Sequence, residues 1–319
     1  MSGAGEERVG ADEQRVGAGE ERIGADEERV GAGEERVGAA EERVGAGEER
    51  IGAAEQRVGA GEERIAAAFA GAGKRAALMP YLMGGFPDLD TSRRIGEAAA
   101  AAGADILELG IPFSDPLADG PVIHDAATRA LAAGAGVSSV LEVATALTPL
   151  LPVIVMTYVN VLLARGVERF LSQLAGCGVS GLIVPDLPIE EDDQVALAAR
   201  AAGVALVPLV APTTPPERMA RIVARAQGFV YVVSVTGTTG ERTGATSAVE
   251  PLLALAHLHA RVPVALGFGI STPEQAAAAA AAGADGVIVG SRLVRAAGEE
   301  ADPAAAVGRI VGEFAAALA

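Results

Sequence analysis

Two acidic side chains, Glu108 and Asp119, have the sequence surroundings expected of acid–base catalysts. Glu108 lies within the apolar run 105–109, where burial of a carboxylate is costly unless the group is paired or used. Because burial raises the pKa of a carboxyl group, Glu108 is suited to proton transfer near neutral pH. Asp119 lies in the loop 111–121, whose prolines and glycines restrict the backbone. The structural alternatives, an ion pair for Glu108 and a helix N-cap for Asp119, stay open at this point.

Glycine-rich turns at 267–271 and 290–292 are candidates for binding an anion. Glycine lets backbone N–H groups approach a phosphate closely, and the N-terminus of a helix adds positive potential. Ordinary tight turns are the alternative interpretation. A third glycine-rich segment, 236–242, is typical of a lid that closes over bound substrate.

The elements that must position these residues follow a repeating order. From residue 66 on, short β-rich runs alternate with Ala/Leu/Arg-rich stretches of helical length, which is typical of parallel strands joined by crossover helices. The eight β-rich runs cover residues 77–83, 105–109, 153–158, 181–185, 205–210, 229–234, 264–268 and 286–289. We therefore predict an α/β fold, a (β/α)8 TIM barrel, with the functional side chains at the C-terminal ends of the strands and the phosphate turns after the last two strands.

Aromatic side chains are scarce, so their positions are informative. The sequence has 3 tyrosines and 7 phenylalanines. Those that fall in or just beyond the predicted strands are Tyr81, Phe113, Tyr158, Tyr231 and Phe268. Such rings offer stacking faces to a flat aromatic ligand, although core packing is the ordinary role of any one of them.

The supply of lysine and histidine excludes two classes of barrel enzyme. Lys74 is the only lysine and precedes the first predicted strand, whereas a Schiff-base aldolase needs a lysine inside the barrel. The 3 histidines and the single cysteine, Cys177, form no pattern of metal ligands, so we expect no metal. Carboxylate acid–base chemistry on a phosphorylated substrate remains.

The first 65 residues have a different composition. Residues 3–65 are nine heptads of the type Gly-Ala-Gly-Glu-Glu-Arg-Val, with 18 acidic residues and 9 arginines. The apolar residues lack the spacing of three and four that a coiled coil requires, and the glycines disfavour a helix. We predict a low-complexity acidic tail, 1–65, that is disordered or weakly helical and carries no chemistry, followed by a catalytic domain, 66–319.

Charge and hydropathy exclude other partners. A net charge of −17 repels a phosphate backbone, so we expect no nucleic acid partner. No uncharged apolar run is long enough to span a bilayer, and the N-terminus is acidic rather than basic. We therefore expect a protein of the cytoplasm that binds no membrane.

From residue 78 to residue 319 the sequence resembles the tryptophan synthase alpha subunit family. The most specific match is 107–121, Leu-Glu-Leu-Gly-Ile-Pro-Phe-Ser-Asp-Pro-Leu-Ala-Asp-Gly-Pro. Further matches, in the order of the family, are 79–88, 184–188, 232–240, 267–271 and 289–291. The heptad tail matches nothing in the family.

The resemblance implies a lyase that cleaves indole-3-glycerol phosphate to indole and glyceraldehyde 3-phosphate by a retro-aldol step. It implies that Glu108 transfers protons at indole C3 and at the glycerol hydroxyl, and that Asp119 holds the indole N–H. The residues implied to contact the substrate are Tyr231 beside the two acids, Tyr81, Tyr158 and Phe268 around the indole, Gly240, Gly267, Gly269, Gly290 and Ser291 at the phosphate, and Thr239 in the lid. It also implies an α2β2 heterotetramer with a beta subunit, which holds pyridoxal phosphate, and no cofactor in this chain.

Three departures from the family pattern affect regulation more than chemistry. The chain has His124 where the family usually has Gln, Phe86 where Asp is frequent, and Thr238 where Val is common. Two alternatives to the alpha-subunit function remain. One is a stand-alone indole-3-glycerol-phosphate lyase, and the other is a catalytically idle barrel that activates a partner.

Overall fold

The computed structural model describes residues 59–233, 246–267 and 269–319. Their strands are all parallel to their neighbours. The strands are β1 (Ala77–Met83), β2 (Leu107–Gly110), β3 (Val153–Met156), β4 (Gly181–Ile183), β5 (Ala205–Val207), β6 (Leu209–Val210), β7 (Val230–Val233), β8 (Val264–Gly267) and β9 (Gly286–Val289). Every predicted strand is present, and the TIM barrel is confirmed.

Strands β5 and β6 are the two halves of the predicted run 205–210. Pro208 separates them, because proline has no N–H to donate to a neighbouring strand. The first half pairs with β4 and the second half pairs with β7. The nine strands have the order β5-β4-β3-β2-β1-β9-β8-β7-β6. Counted with β5 and β6 as one interrupted strand, they form an eight-stranded barrel in which Pro208 connects the first and last strands of this order.

Helices follow the strands and cover the outside of the barrel. They are α1 (Ala60–Gly71), α2 (Leu89–Ala101), α3 (Pro121–Ala132), α4 (Val137–Leu147), α5 (Val159–Arg165), α6 (Val167–Gly176), α7 (Asp193–Ala202), α8 (Pro216–Ala224), α9 (Thr246–His259), α10 (Pro273–Ala281), α11 (Ser291–Glu299) and α12 (Pro303–Leu318). Apolar residues of the helices and strands form one buried core. Strand β2, which carries Glu108, is buried along its whole length.

Helix α1 crosses the predicted boundary at residue 65. It begins within the last heptad, and Ile65 is fully buried in the barrel core. The guanidinium of Arg64 donates to the carbonyl oxygens of Thr148, at 2.6 Å, and Gly178, at 2.8 Å. The barrel domain therefore includes residues 60–65, and its predicted start at residue 66 was too late. The rest of the predicted tail lies outside the described residues.

Among the described residues, no single helix is long and apolar enough to cross a membrane. Helices α3 and α4 reach the required length and composition only as a pair, and that pair is bent by 107°.

Candidate active site

A pocket opens at the C-terminal ends of the strands. Its walls combine the two predicted acids, two of the predicted tyrosines and three of the residues predicted to contact the phosphate. These predicted residues are Glu108, Asp119, Tyr81, Tyr231, Gly269, Gly290 and Ser291, and the remaining lining residues are Ile123, Met156, Ile270, Ser271, Ile288 and Arg292. Residues from six strands or the segments that follow them thus converge on one cavity, as expected of a barrel site.

Glu108 faces this pocket from β2, beside Tyr81 of β1 in the sheet register. Its side chain is 1% exposed, and neither carboxyl oxygen has a hydrogen-bond partner within the described part of the chain. Burial, and secondarily the charge of Asp119, raise the pKa of Glu108 to about 8. An unpaired buried carboxyl group is costly for stability, so the ion-pair alternative fails and a functional role is favoured.

Asp119 approaches the pocket from the loop between β2 and α3. Burial raises its pKa to about 6, while a hydrogen bond from Tyr158 and the nearby His124 oppose that shift. The two acids therefore differ in protonation near pH 7: Glu108 is mostly protonated and Asp119 is mostly ionised. Two carboxyl groups whose environments separate their pKa values are the usual arrangement of an acid–base pair.

Two strand-end glycines explain how the tyrosines reach the pocket. A Cβ on Gly110 would lie 2.2 Å from Oη of Tyr81, and a Cβ on Gly267 would lie 2.4 Å from Oη of Tyr231. Each tyrosine ring therefore crosses a position of the neighbouring strand that only glycine can occupy. Gly267, which was predicted to meet the phosphate, lies under Tyr231 and does not line the pocket.

The phosphate turn that follows β9 is directly on the pocket wall. Gly290 is the N-cap of α11, which begins at Ser291, and both residues line the pocket, so the start of a helix, where an anion is favoured, lies at the pocket wall. Gly269 adds a left-handed turn, with φ 84°, on the neighbouring loop. Three of the residues predicted for the phosphate are thus brought together.

Other predicted residues lie elsewhere. Tyr158 does not line the pocket; it lies behind Asp119 and is 3% exposed. Thr239, Gly240 and Phe268, like Thr238 and the rest of the predicted lid, lie outside the described residues.

Sequence reasoning included Arg292 in the turn 290–292 without assigning it a contact, and it missed the apolar walls Ile123, Met156 and Ile288. Arg292 is the one cation among the described lining residues, and its place directly after Gly290 and Ser291 was an available signal for an anion site. The apolar residues gave no such signal, because their types are those of any core.

Within the described residues, no group of three or more His, Cys, Asp or Glu side chains could hold a metal ion. Lys74 is ion-paired with Asp105 at 2.8 Å and is not a lining residue of the pocket.

The comparisons with known proteins agree with this geometry. The family model described as tryptophan synthase alpha chain matches residues 68–317. The tryptophan synthase alpha chain of Gloeobacter violaceus is 52% identical over 226 residues, which cover 70% of this chain and 82% of that protein. A Mycobacterium tuberculosis tryptophan synthase structure superposes with a TM-score of 0.74 at 37% identity, covering 80% of this chain and 98% of that chain. A structure of the Pyrococcus furiosus tryptophan synthase a2b2 complex gives 0.71 at 37% identity, covering 76% and 98%. The chain belongs to the tryptophan synthase alpha chain family.

Proposed function

We propose that this chain cleaves indole-3-glycerol phosphate to indole and glyceraldehyde 3-phosphate with Glu108 and Asp119 as its catalytic pair. In tryptophan biosynthesis, this lyase reaction is carried out by the alpha subunit of tryptophan synthase. The observation that carries the proposal is that both carboxyl groups line one pocket, where burial raises the pKa of Glu108 to about 8 and that of Asp119 to about 6.

The reaction needs one proton delivered and one removed. Glu108 protonates C3 of the indole, and the bond between C3 and the hydroxyl-bearing glycerol carbon then breaks. The electron pair of that bond returns to the ring, while the hydroxyl loses its proton to the Glu108 carboxylate and becomes the aldehyde carbonyl. Asp119 accepts a hydrogen bond from the indole N–H and stabilises the positive charge that the ring carries after protonation. Glu108 ends the cycle protonated, as it began.

The rest of the pocket orients the two ends of the substrate. Tyr81 and Tyr231 provide aromatic walls for the indole, with Phe268 as a third wall by resemblance. The phosphate is held by the backbone at Gly269 and Gly290 and by the N-terminal residue of α11, Ser291. Gly240 and Thr239 keep the roles that the resemblance implies, in the phosphate site and in the lid, whereas Gly267 makes room for Tyr231.

The partner in this proposal is a tryptophan synthase beta subunit. The Pyrococcus furiosus structure is described as the mutual activation of an a2b2 complex, and the same α2β2 heterotetramer is proposed for this chain. The loop that carries Asp119 also carries Leu117, which is 83% exposed, so an apolar side chain faces outward beside a catalytic residue. The chain itself needs no cofactor in this scheme; pyridoxal phosphate belongs to the beta partner. The compartment is the cytoplasm.

The test is indole release from indole-3-glycerol phosphate by the purified chain, with and without a beta subunit from the same source. Slow release that rises strongly with the partner supports the alpha-subunit function. Fast release by the chain alone favours a stand-alone lyase. The absence of release in both conditions, with a folded chain, contradicts the proposal and favours an idle barrel.

A further inference from the structure

Tyr158 touches the catalytic loop at two points. Tyr158 is the N-cap residue of α5 and follows β3, so its backbone belongs to the barrel. Its hydroxyl accepts a hydrogen bond from the backbone N–H of Ala118 at 3.1 Å and donates one to the carboxylate of Asp119. Its ring stacks on Phe113, with 5.3 Å between centroids and 27° between planes. One side chain therefore holds both the beginning and the end of this loop.

The barrel side of Tyr158 is itself fixed. The neighbouring Val159 donates its backbone N–H to Oδ1 of Asp186 at 2.9 Å. Asp186 belongs to the loop after β4. It lies in the segment 184–188, which matches the family, although none of these five residues lines the catalytic pocket. Three consecutive strand ends are thus connected in the order Asp186, Tyr158 and Asp119.

The other supports of the loop lie mainly at its start, where Ile111 is buried and donates its backbone N–H to the carbonyl of Met156 at 2.9 Å. The backbone N–H of Asp119 bonds only within the loop, to the carbonyl of Pro116 at 3.3 Å. Ser114, Asp115 and Leu117 are exposed, so these side chains gain little packing from the part of the chain that the structure describes. A carboxylate on such a loop needs an external anchor to keep a fixed distance from Glu108 and from the substrate.

We propose that Tyr158 is a positioning residue that holds the carboxylate of Asp119 in its reactive place, rather than a wall of the indole pocket. The inference rests on the proposed function. The phenol does not touch the substrate; it acts on the reaction through Asp119. The hydroxyl of Tyr158 positions the carboxylate of Asp119, and its ring positions the loop through Phe113. Substitutions can therefore separate the two effects.

The variant Tyr158→Phe removes the hydroxyl and keeps the ring. We expect kcat to fall by about 10- to 100-fold, because small displacements of a catalytic group are costly, while KM changes less than twofold. The acid limb of the pH profile shifts upward, because the carboxylate loses a hydrogen bond that favours its charged form. The groups that face Asp119 from the surrounding elements, and that remain unchanged in this variant, are Glu108, Tyr81, Tyr231 and His124.

The matched variant is Phe113→Leu, which removes the stacking and keeps the hydroxyl. We expect a smaller loss of kcat and an acid limb at the wild-type pH. Steady-state kinetics from pH 5 to pH 9 are measured for both variants with the beta subunit present, and thermal unfolding establishes that they fold. A Tyr158→Phe variant with wild-type kcat and an unmoved acid limb overturns the inference, as does a rise confined to KM, which indicates that the phenol binds substrate. A wild-type chain without activity instead contradicts the proposed function.

Discussion

Glu108 is the residue on which the proposed chemistry depends most directly. Replacing it in Glu108→Gln keeps the shape of the side chain and removes its ionisable proton. We expect turnover to fall by roughly 10²- to 10⁴-fold, the usual contribution of a general acid–base, with little change in the affinity for substrate. Indole release measured with excess beta subunit checks this.

The matched control is Glu142→Gln, because Glu142 is exposed on α4 and lies outside the pocket. This variant should retain wild-type turnover. Unchanged turnover in Glu108→Gln would remove Glu108 from the mechanism.

The pH dependence follows from the same two acids. Glu108 must be protonated to donate, so activity falls as the pH rises past its pKa of about 8. Asp119 must be ionised, so activity falls as the pH drops below its pKa of about 6. The profile of kcat/KM is therefore expected to be bell-shaped with a maximum near pH 7, since it reports the groups of the free enzyme. In Asp119→Asn the acid limb should disappear, and the basic limb should move to lower pH because the charge that helps to raise the pKa of Glu108 is removed.

Arg292 lies where the substrate phosphate is proposed to bind. A phosphate dianion must enter a chain of net charge −17 and a pocket that already contains an ionised Asp119. A single cation on the wall offsets part of this repulsion, and charged hydrogen bonds contribute about 1.5–3 kcal/mol. We expect Arg292→Ala to raise KM about tenfold or more with kcat nearly unchanged, and to weaken binding of glycerol 3-phosphate in parallel.

The control for Arg292→Ala is Arg309→Ala, which removes the same charge from the exposed face of α12. It should leave both constants unchanged. Equal effects of the two substitutions would mean that only the net charge matters.

At the scale of elements, helix α1 joins the last heptad to the barrel. Ile65 is fully buried and packs under Gly228 and Gly181, where a larger side chain on either glycine would not fit. Truncating it in Ile65→Ala leaves a cavity, so we expect a loss of about 2–5 kcal/mol in the free energy of unfolding. Urea unfolding followed by circular dichroism measures this loss.

Ile51 provides the comparison, because it occupies the same place in an identical heptad that precedes α1. The substitution Ile51→Ala should lower the unfolding free energy much less than Ile65→Ala. Equal losses of unfolding free energy in the two variants would show that Ile65 does not stabilise the protein through its burial in the barrel.

At the scale of the whole molecule, the heptads before α1 are predicted to be dispensable for the chemistry. Every residue that lines the described pocket comes from residue 81 onward. Removal of residues 1–58 should therefore preserve kcat and KM, whereas removal of 1–71 also deletes α1 and should destabilise the barrel. Activity and unfolding measurements on the two truncated chains check the pair of expectations. A large loss of activity in the shorter deletion would assign a function to the tail.

The sequence by itself determined the barrel, its eight strands, the two acids and the glycine-rich turn after the last strand that lines the pocket. These features are local: hydrophobic runs, glycines and the residues that follow each run are read along the chain, and the topology of parallel strands then places the strand ends together. The motif 107–121 added the family and the reaction.

Only the tertiary structure decided how those residues work. The different pKa values of Glu108 and Asp119 arise from burial by side chains far away in the sequence. The place of Tyr158 behind Asp119, of Arg292 on the wall and of Gly267 under Tyr231 depends on how neighbouring strands are aligned. The start of the barrel domain inside the last heptad depends on a socket for Ile65 and Arg64 that only the closed barrel forms. Burial and through-space contacts are properties of the assembled fold, so a pattern read along one chain does not contain them.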